Sequence, residues 1–259
     1  MYLKYNNLRF KATYANAGSF YSVCLANCYW PLISQIKKDD IVVDGGANIG
    51  TFSIIASRVA ERVIAIEPDP HNYAMLLENI ELNNASNIVA INAALSNHTG
   101  SGYFEGNGEN GHLSTRGIKV RLATIDEVSS CRATIVKLDI EGAEPLALMS
   151  QGSLDSIRAI AFELDVNQYD NIKRSNFSIP DEYTYENLIR VLSDKGFDVE
   201  FDPYEDNFHY RNFITKDVFL CEIKTGLIGT RFLLKWFFGG IKPANLFSMV
   251  FATRHKYQL

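Results

Sequence analysis

Ile41-Val42-Val43-Asp44-Gly45-Gly46-Ala47-Asn48-Ile49-Gly50 is the stretch that decides the fold. Three apolar β-branched residues run into an acid, a glycine-rich turn follows, and Thr51-Phe52-Ser53-Ile54 then turns helical. Glycines at a strand-to-helix turn let the backbone approach a bulky ligand and expose the amides of the helix N-terminus. A dinucleotide turn needs glycines at its first, third and sixth places. Counted from Gly45, the third place is Ala47, so that pattern fails. A left-handed turn without a ligand is the plain alternative, but it rarely needs Gly45, Gly46 and Gly50 together.

A second acid points the same way. Arg62-Val63-Ile64-Ala65-Ile66-Glu67-Pro68 reads as the next buried strand, and it ends in a carboxylate. An acid roughly twenty residues past such a turn can accept hydrogen bonds from both hydroxyls of a ribose. Asp69 and Pro70 cap and start a helix through Asn84, with Tyr73, Leu76, Leu77 and Ile80 at helical spacing. The spacing Asp44-x-Gly46-x-Asn48-x-Gly50 resembles motif I of class I S-adenosylmethionine (SAM) methyltransferases.

Five apolar runs alternate with helix-like segments: Ile41–Asp44, Arg62–Glu67, Ile88–Ala93, Ile135–Asp139 and Ile157–Leu164. Short, nearly continuous apolar runs between helices describe parallel strands buried on both faces, and so a doubly wound α/β sheet. Ligands in such sheets sit at the carboxyl ends of the strands. Asp44, Glu67, Asp139 and Glu163 occupy four of the five ends. Phe197–Phe201 reads as a sixth strand; its antiparallel partner is Leu246–Arg254 in preference to Val218–Ile223, which makes seven strands closed by a C-terminal hairpin. A helix from Pro180 through Lys195 precedes it, stopped at Gly196.

The chain of 259 residues is 47% hydrophobic and 21% charged, ordinary values for a globular protein with a full core. Residues 1–36 read as a lead-in or cap, and 37–259 as the SAM-binding domain with cap insertions at 96–120 and 202–245. Glu105-Gly106-Asn107-Gly108-Glu109-Asn110-Gly111 is too rich in Gly and Asn for regular structure and is a candidate lid beside the crevice, with His112 read as a surface residue rather than a base. No run spans a bilayer and the N-terminus lacks a secretion signature, so the expected location is cytoplasmic. Cys24, Cys28, Cys131 and Cys221 show no metal-cage spacing and read as reduced, buried thiols.

Net charge is −5, and from Ile223 onward there are six basic and no acidic residues, leaving 19 basic against 30 acidic before it. That acidic body argues against a nucleic-acid partner. Residues 227–238 are apolar with Arg231 and Lys235 on one helical face. They suit a core or dimer helix, and as the second reading a helix lying on a membrane surface.

Val136-Lys137-Leu138-Asp139-Ile140-Glu141-Gly142-Ala143-Glu144, taken with Asp44 to Phe52 and Asn92-Ala93-Ala94-Leu95-Ser96, resembles the FkbM family of SAM-dependent methyltransferases. The resemblance covers about residues 37–165. It implies O-methylation of a sugar or natural-product hydroxyl, with a small molecule or glycan as acceptor. It also implies that Gly45, Gly46, Asn48 and Gly50 approach the methionyl part of SAM near Asp44. Glu67 and Pro68 would then serve the ribose, and Asn92 and Ala93 the adenine. An alcohol is a poor nucleophile until a base takes its proton. Asp139 or Glu163 is the expected base, with Glu141 or Glu144 orienting the acceptor. A divalent cation on these acids is the less favoured reading, and Lys137 is expected to pair with one of them.

Two rival readings remain. Ile66 to Pro70 followed by Leu77 to Asn84 also looks like archaeal-type tRNA guanine methyltransferases, although no Asn-Pro-Pro-Tyr follows Leu138. The other rival is a catalytically idle SAM-binding scaffold.

Overall fold

A computed structural model describes residues 1–106, 111–150, 152, 154–174, 177, 179–203 and 248–254. The chain opens with a hairpin of β1 (Tyr2–Tyr5) and β2 (Leu8–Lys11), then short helical turns α1 (Ala17–Phe20) and α2 (Trp30–Ile33). β3 (Ile41–Gly45) leads through the glycine turn into α3 (Thr51–Ala56), and β4 (Arg62–Ile66) into α4 (Pro70–Leu82). β5 (Ile88–Ile91) and β6 (Ala94–Leu95) follow, then β7 (Gly100–Glu105), β8 (His112–Ser114), β9 (Ile118–Ala123) and α5 (Ile125–Ser129). β10 (Ile135–Leu138), α6 (Glu144–Met149), β11 (Ala159–Leu164) and α7 (Val166–Arg174) come next, before α8 (Tyr185–Asp194), β12 (Asp198–Pro203) and β13 (Ser248–Thr253).

The main sheet has seven strands in the order β12-β13-β11-β10-β3-β4-β5. The four pairs of neighbours from β11 to β5 that carry the crossovers run parallel, and β13 lies antiparallel between β11 and β12. The closing hairpin therefore uses Ser248–Thr253, the partner expected over Val218–Ile223, which falls outside the described residues. From β3 the chain winds outward to β5, then returns to β10 and winds the other way. The reversal leaves a crevice above the carboxyl ends of β3 and β10, where open α/β sheets bind ligands.

Alternation along each strand feeds two cores. Val42, Val63, Ala65 and Ile135 face one layer, which is completed by Leu3, Phe10, Phe20 and Leu32 of the first 36 residues. Val43, Ile64, Val136, Leu138 and Phe162 face the other, with Leu148 and Leu188. Both faces are covered, which is why the strands read as continuous apolar runs rather than alternating ones.

Local differences from the sequence reading have physical causes. β4 stops at Ile66 and β5 at Ile91, because Glu67 and Ala93 lie where the ladder ends and the chain turns toward the crevice. Asp69 caps α4 by accepting from the amides of His71 and Asn72, but Leu77 points to solvent. The last described helix starts at Tyr185 rather than Pro180, because Thr184 caps it by accepting from the Asn187 amide. Between Ala94 and Ala123 the chain forms a second, four-stranded sheet in the order β6-β9-β7-β8. Asn107–Asn110 of the glycine-rich loop lie outside the described residues, as do residues 204–247 with the apolar basic segment. Cys131 is exposed and Cys28 half-buried, so only Cys24 of the described thiols is buried as expected. Among the described residues no helix is long and apolar enough to cross a membrane.

Candidate active site

The crevice opens into a cavity of about 380 Å³ above β3, β4, β10 and β11. Gly46, Ala47, Asn48, Thr51, Glu67, Pro68 and Ala93 line one half. Asp139, Glu141 and Glu163 line the other. The residues singled out from the sequence thus meet from strand ends far apart in the chain, because parallel strands bring all their carboxyl ends to one edge.

The glycine turn is held by its neighbours. The Gly46 and Ala47 amides both donate to the Ile66 carbonyl at 3.0 Å. Gly46 has φ +70°, and a Cβ there would lie 1.8 Å from the Asp139 carbonyl oxygen, so only glycine lets the turn pass this close to β10. Gly45 is buried beneath the turn and Gly50 ends it in a left-handed conformation at the start of α3.

Glu67 is 4% exposed, and each of its carboxylate oxygens already accepts one amide: Asn48 at 2.7 Å and Asp69 at 2.9 Å. Burial pushes this carboxyl up to about 7 against the pull of those two amides. Each oxygen keeps lone-pair capacity for a further donor in the cavity. Nearby, Asn48 Oδ1 and Thr51 Oγ1 are buried without a hydrogen-bond partner in the protein. Buried polar atoms are rarely left so, and two of them at a cavity wall suit a polar ligand. Asn92 does not line the cavity; its amide donates to the Glu67 carbonyl at 2.8 Å and to that of Pro68 at 3.1 Å, bracing the turn after β4.

Asp44 is fully buried under the turn, where it accepts from Ser53 Oγ at 2.5 Å and faces Lys137 Nζ at 3.1 Å. Lys137 also donates to the Gly46 carbonyl at 3.0 Å. Burial works against the ammonium, but Asp44 and Asp139 outweigh it and hold Lys137 above its ordinary value. Lys137 thus pairs chiefly with Asp44, which is not one of the acids expected for it, while Asp139, which is, lies farther off at 3.7 Å.

After β10 the chain reverses through Glu141 and Gly142, both left-handed at φ 54° and 91°. A Cβ at position 142 would meet the Tyr169 amide nitrogen at 2.4 Å. The reversal carries Glu141 into the cavity wall. Glu144 takes another course: it is buried, accepts from the Ile140 amide at 2.9 Å and from the Tyr185 hydroxyl, and does not line the cavity. Burial pushes its carboxyl up to about 7.

Glu163 stands against Asp139. Burial first, then the charge and hydrogen bond of Asp139 and the charges of Glu141 and Glu144, push the Glu163 carboxyl up to about 10. Burial and these charges favour the protonated, donor form of Glu163 against Asp139. A raised carboxyl favours the folded state below its ordinary value of 4.5, and that contribution is lost as pH rises toward 10. Glu163→Gln keeps a donor there without the ionisable proton. The variant is expected to gain on the wild type by up to about 1.4 kcal/mol per pH unit between pH 5 and pH 8, read from urea unfolding. An equal stability difference at both pH values would remove the raised Glu163 from the account.

Three groups at the cavity carried no motif. Tyr29 reaches Asp139 from the lead-in, Gly18, Ser19 and Ser22 line the rim beside it, and Phe104 and Leu113 wall the far side from the second sheet. Only contacts across more than a hundred residues reveal Tyr29, and no local pattern marks the others. Among the described residues no group of three His, Cys, Asp or Glu is placed to hold a metal ion.

A family model described as the TRM5/TYW2 methyltransferase domain matches residues 4–105, which hold the lead-in, the glycine turn and the strands through β7. The fold and crevice are those of a class I SAM-dependent methyltransferase. Hexuronic acid methyltransferase AglP of Haloferax volcanii is 29% identical over 141 residues, 51% of this chain and 57% of the relative. The tRNA (guanine(37)-N(1))-methyltransferase Trm5b of Pyrococcus abyssi is 33% identical over 86 residues, 33% of this chain and 26% of the relative. Among solved structures, M. jannaschii TYW2 in complex with AdoMet is 16% identical with a TM-score of 0.49, covering 98% of this chain and 86% of that one. The chain spans 57% of the length of the first of these relatives and 26% of the second.

These matches correct two expectations. The FkbM resemblance does not stand, since the family model that matches is TRM5/TYW2. Two of the three runs behind it, Asp44 to Phe52 and Asn92 to Ser96, lie inside the matched stretch, where they form the glycine turn with the start of α3 and the segment from the end of β5 through β6. The expectation that a nucleic-acid partner is disfavoured also falls, because a relative is a tRNA methyltransferase. That expectation rested on the charge balance, an average that says nothing about a local basic face.

Proposed function

We propose that this domain transfers the SAM methyl group to a nucleophile that must give up a proton, with Asp139 as the base. The carboxyl pair in the cavity carries this reading: Glu163 holds a proton, while Asp139 faces the same space with its side chain 32% exposed. When bound, SAM supplies a methyl carbon made electrophilic by the sulfonium. The residues present fit it: Glu67 for the ribose hydroxyls, Pro68 and Ala93 along the adenine, and Gly46, Asn48 and Thr51 for the methionyl part. Asp44, Gly45, Gly50 and Asn92 act from beneath, by fixing the turn and strand ends that those residues occupy.

The protein's own task is then alignment and proton removal. Asp139 takes the proton as the nucleophile attacks. Glu163 donates to Asp139 and thereby orients its free oxygen, and Glu141 offers an acceptor for a neighbouring donor on the substrate.

A guanine base of tRNA is the first acceptor this reading names, supported by the TRM5/TYW2 family model and the Trm5b relative. Guanine N1 bears a hydrogen, so its methylation needs a base of this kind. A sugar hydroxyl is the second, favoured by the hexuronic acid methyltransferase, whose match spans more of the chain. An O–H acceptor makes the same demand on Asp139. The test supplies tritiated SAM with unmodified tRNA transcripts in one arm and glucuronate glycosides in another. Label in the tRNA supports the first acceptor and label in the glycoside the second. Label in neither, with S-adenosylhomocysteine (SAH) still bound, overturns the reading.

A further inference from the structure

Tyr29 belongs to the first 36 residues, outside the strand-end acids, yet it reaches the centre of the site. It is 3% exposed, and its hydroxyl donates to Asp139 Oδ2 at 3.0 Å. Its ring lies 5.3 Å from Lys137 Nζ, a cation–π contact, and packs edge-on against Phe52 with centroids 5.7 Å apart. One buried side chain thus touches the acid at the cavity, the cation beside it and the first helix after the glycine turn.

We propose that Tyr29 is a positioning residue that decides which member of the Asp139–Glu163 pair carries the shared proton. A hydrogen bond to the charged form of a carboxyl favours that form. The Tyr29 hydroxyl donates to Asp139 Oδ2 and so favours the charged form of that member of the pair. Lys137 adds its positive charge on the Asp139 side at 3.7 Å. On the other side Glu163 is crowded by the negative charges of Asp139, Glu141 and Glu144. Asp44 and Glu144 also press on Asp139, but Asp139 has the Lys137 cation and the Tyr29 hydroxyl beside it. Lys137 lies toward Asp139, Asp44 beneath Lys137 keeps that cation in place, and the glutamates oppose charge on Glu163. The proton settles on Glu163, and Asp139 keeps a free lone pair toward the cavity.

The proposal rests on the reading of Asp139 as the base, but its test needs no methyl acceptor. Protein labelled with 13C at Asp and Glu carboxyl carbons is compared by NMR at pH 7. The Asp139 and Glu163 signals are assigned from spectra of Asp139→Asn and Glu163→Gln. In the wild type the Glu163 carbon is expected at the protonated position and the Asp139 carbon at the ionised one. Tyr29→Phe keeps the ring, its contact with Phe52 and its face toward Lys137 while removing the donor. The proton is then expected to spread onto Asp139, moving both signals toward each other, with SAH affinity and melting temperature near wild type. Signals unmoved in Tyr29→Phe would overturn the proposal, as would a wild-type proton already on Asp139. If the signals move but neither tRNA nor glycoside is labelled, the acceptor reading fails while the role of Tyr29 stands.

Discussion

Asp139→Asn is expected to lower kcat by about 10²- to 10⁴-fold, the range over which a positioned general base contributes. The substitution is isosteric. It keeps an oxygen toward Tyr29, whose hydroxyl lies 3.0 Å away, and leaves the Asp139 main-chain oxygen against the Gly46 turn. SAH affinity and folding should therefore stay near wild type, and the loss should appear in kcat rather than in KM for SAM. Glu163→Gln provides the contrast. Since Glu163 is a donor that keeps its proton at neutral pH, an amide in its place still donates to Asp139, and most turnover should survive. The comparison is made with whichever of tRNA or glycoside becomes labelled. Full turnover in Asp139→Asn, or a deeper loss in Glu163→Gln, would exchange or dissolve the two roles.

The scaffold of this site was legible in the sequence because parallel strands leave a strong mark. Both faces of β3, β4, β10 and β11 are buried, so each reads as a short apolar run, and ligand-facing residues must follow each run directly. That is how Glu67, Asp139 and Glu163 could be picked out, and why Gly46 stood out at a turn with no space for a Cβ. Residues arriving from other layers left no such mark. Tyr29 lies in an irregular lead-in where neither periodicity nor a motif distinguishes an aromatic that packs from one that also donates to an acid. Phe104 and Leu113 come from a second sheet that was read as an insertion with a glycine-rich loop, because its strands are short and half-exposed. Glu144 sat in the most specific-looking run and was read as facing the acceptor, but the left-handed turn at Glu141 and Gly142 rotates it under the sheet against Tyr185. The motif runs lie on the sheet that the reaction class shares, and they identified that class but not the family.

Lys137→Met carries the largest expected effect on stability. It removes the countercharge from Asp44, which has no solvent exposure and, among the described residues, only the Ser53 hydroxyl left to stabilise it. Breaking a buried pair by deleting one partner typically costs about 3–5 kcal/mol, because an uncompensated charge stays behind. The loss should shrink as pH falls. Burial already pushes the Asp44 carboxyl above its ordinary value, and without Lys137 it is expected to take up a proton more readily still. Asp44→Asn in the Lys137→Met background removes that stranded charge, and the amide can still accept from Ser53. The double variant should therefore recover most of the lost stability. It should not recover SAH affinity to the same degree, since the Lys137 ammonium also holds the Gly46 carbonyl at 3.0 Å and with it the turn above Asp44. Urea unfolding at pH 5 and pH 8 with SAH calorimetry on the wild type, Lys137→Met and the double variant separates the two roles. A double variant no more stable than Lys137→Met would mean that packing of the lysine stem, and not its charge, holds this part of the core together.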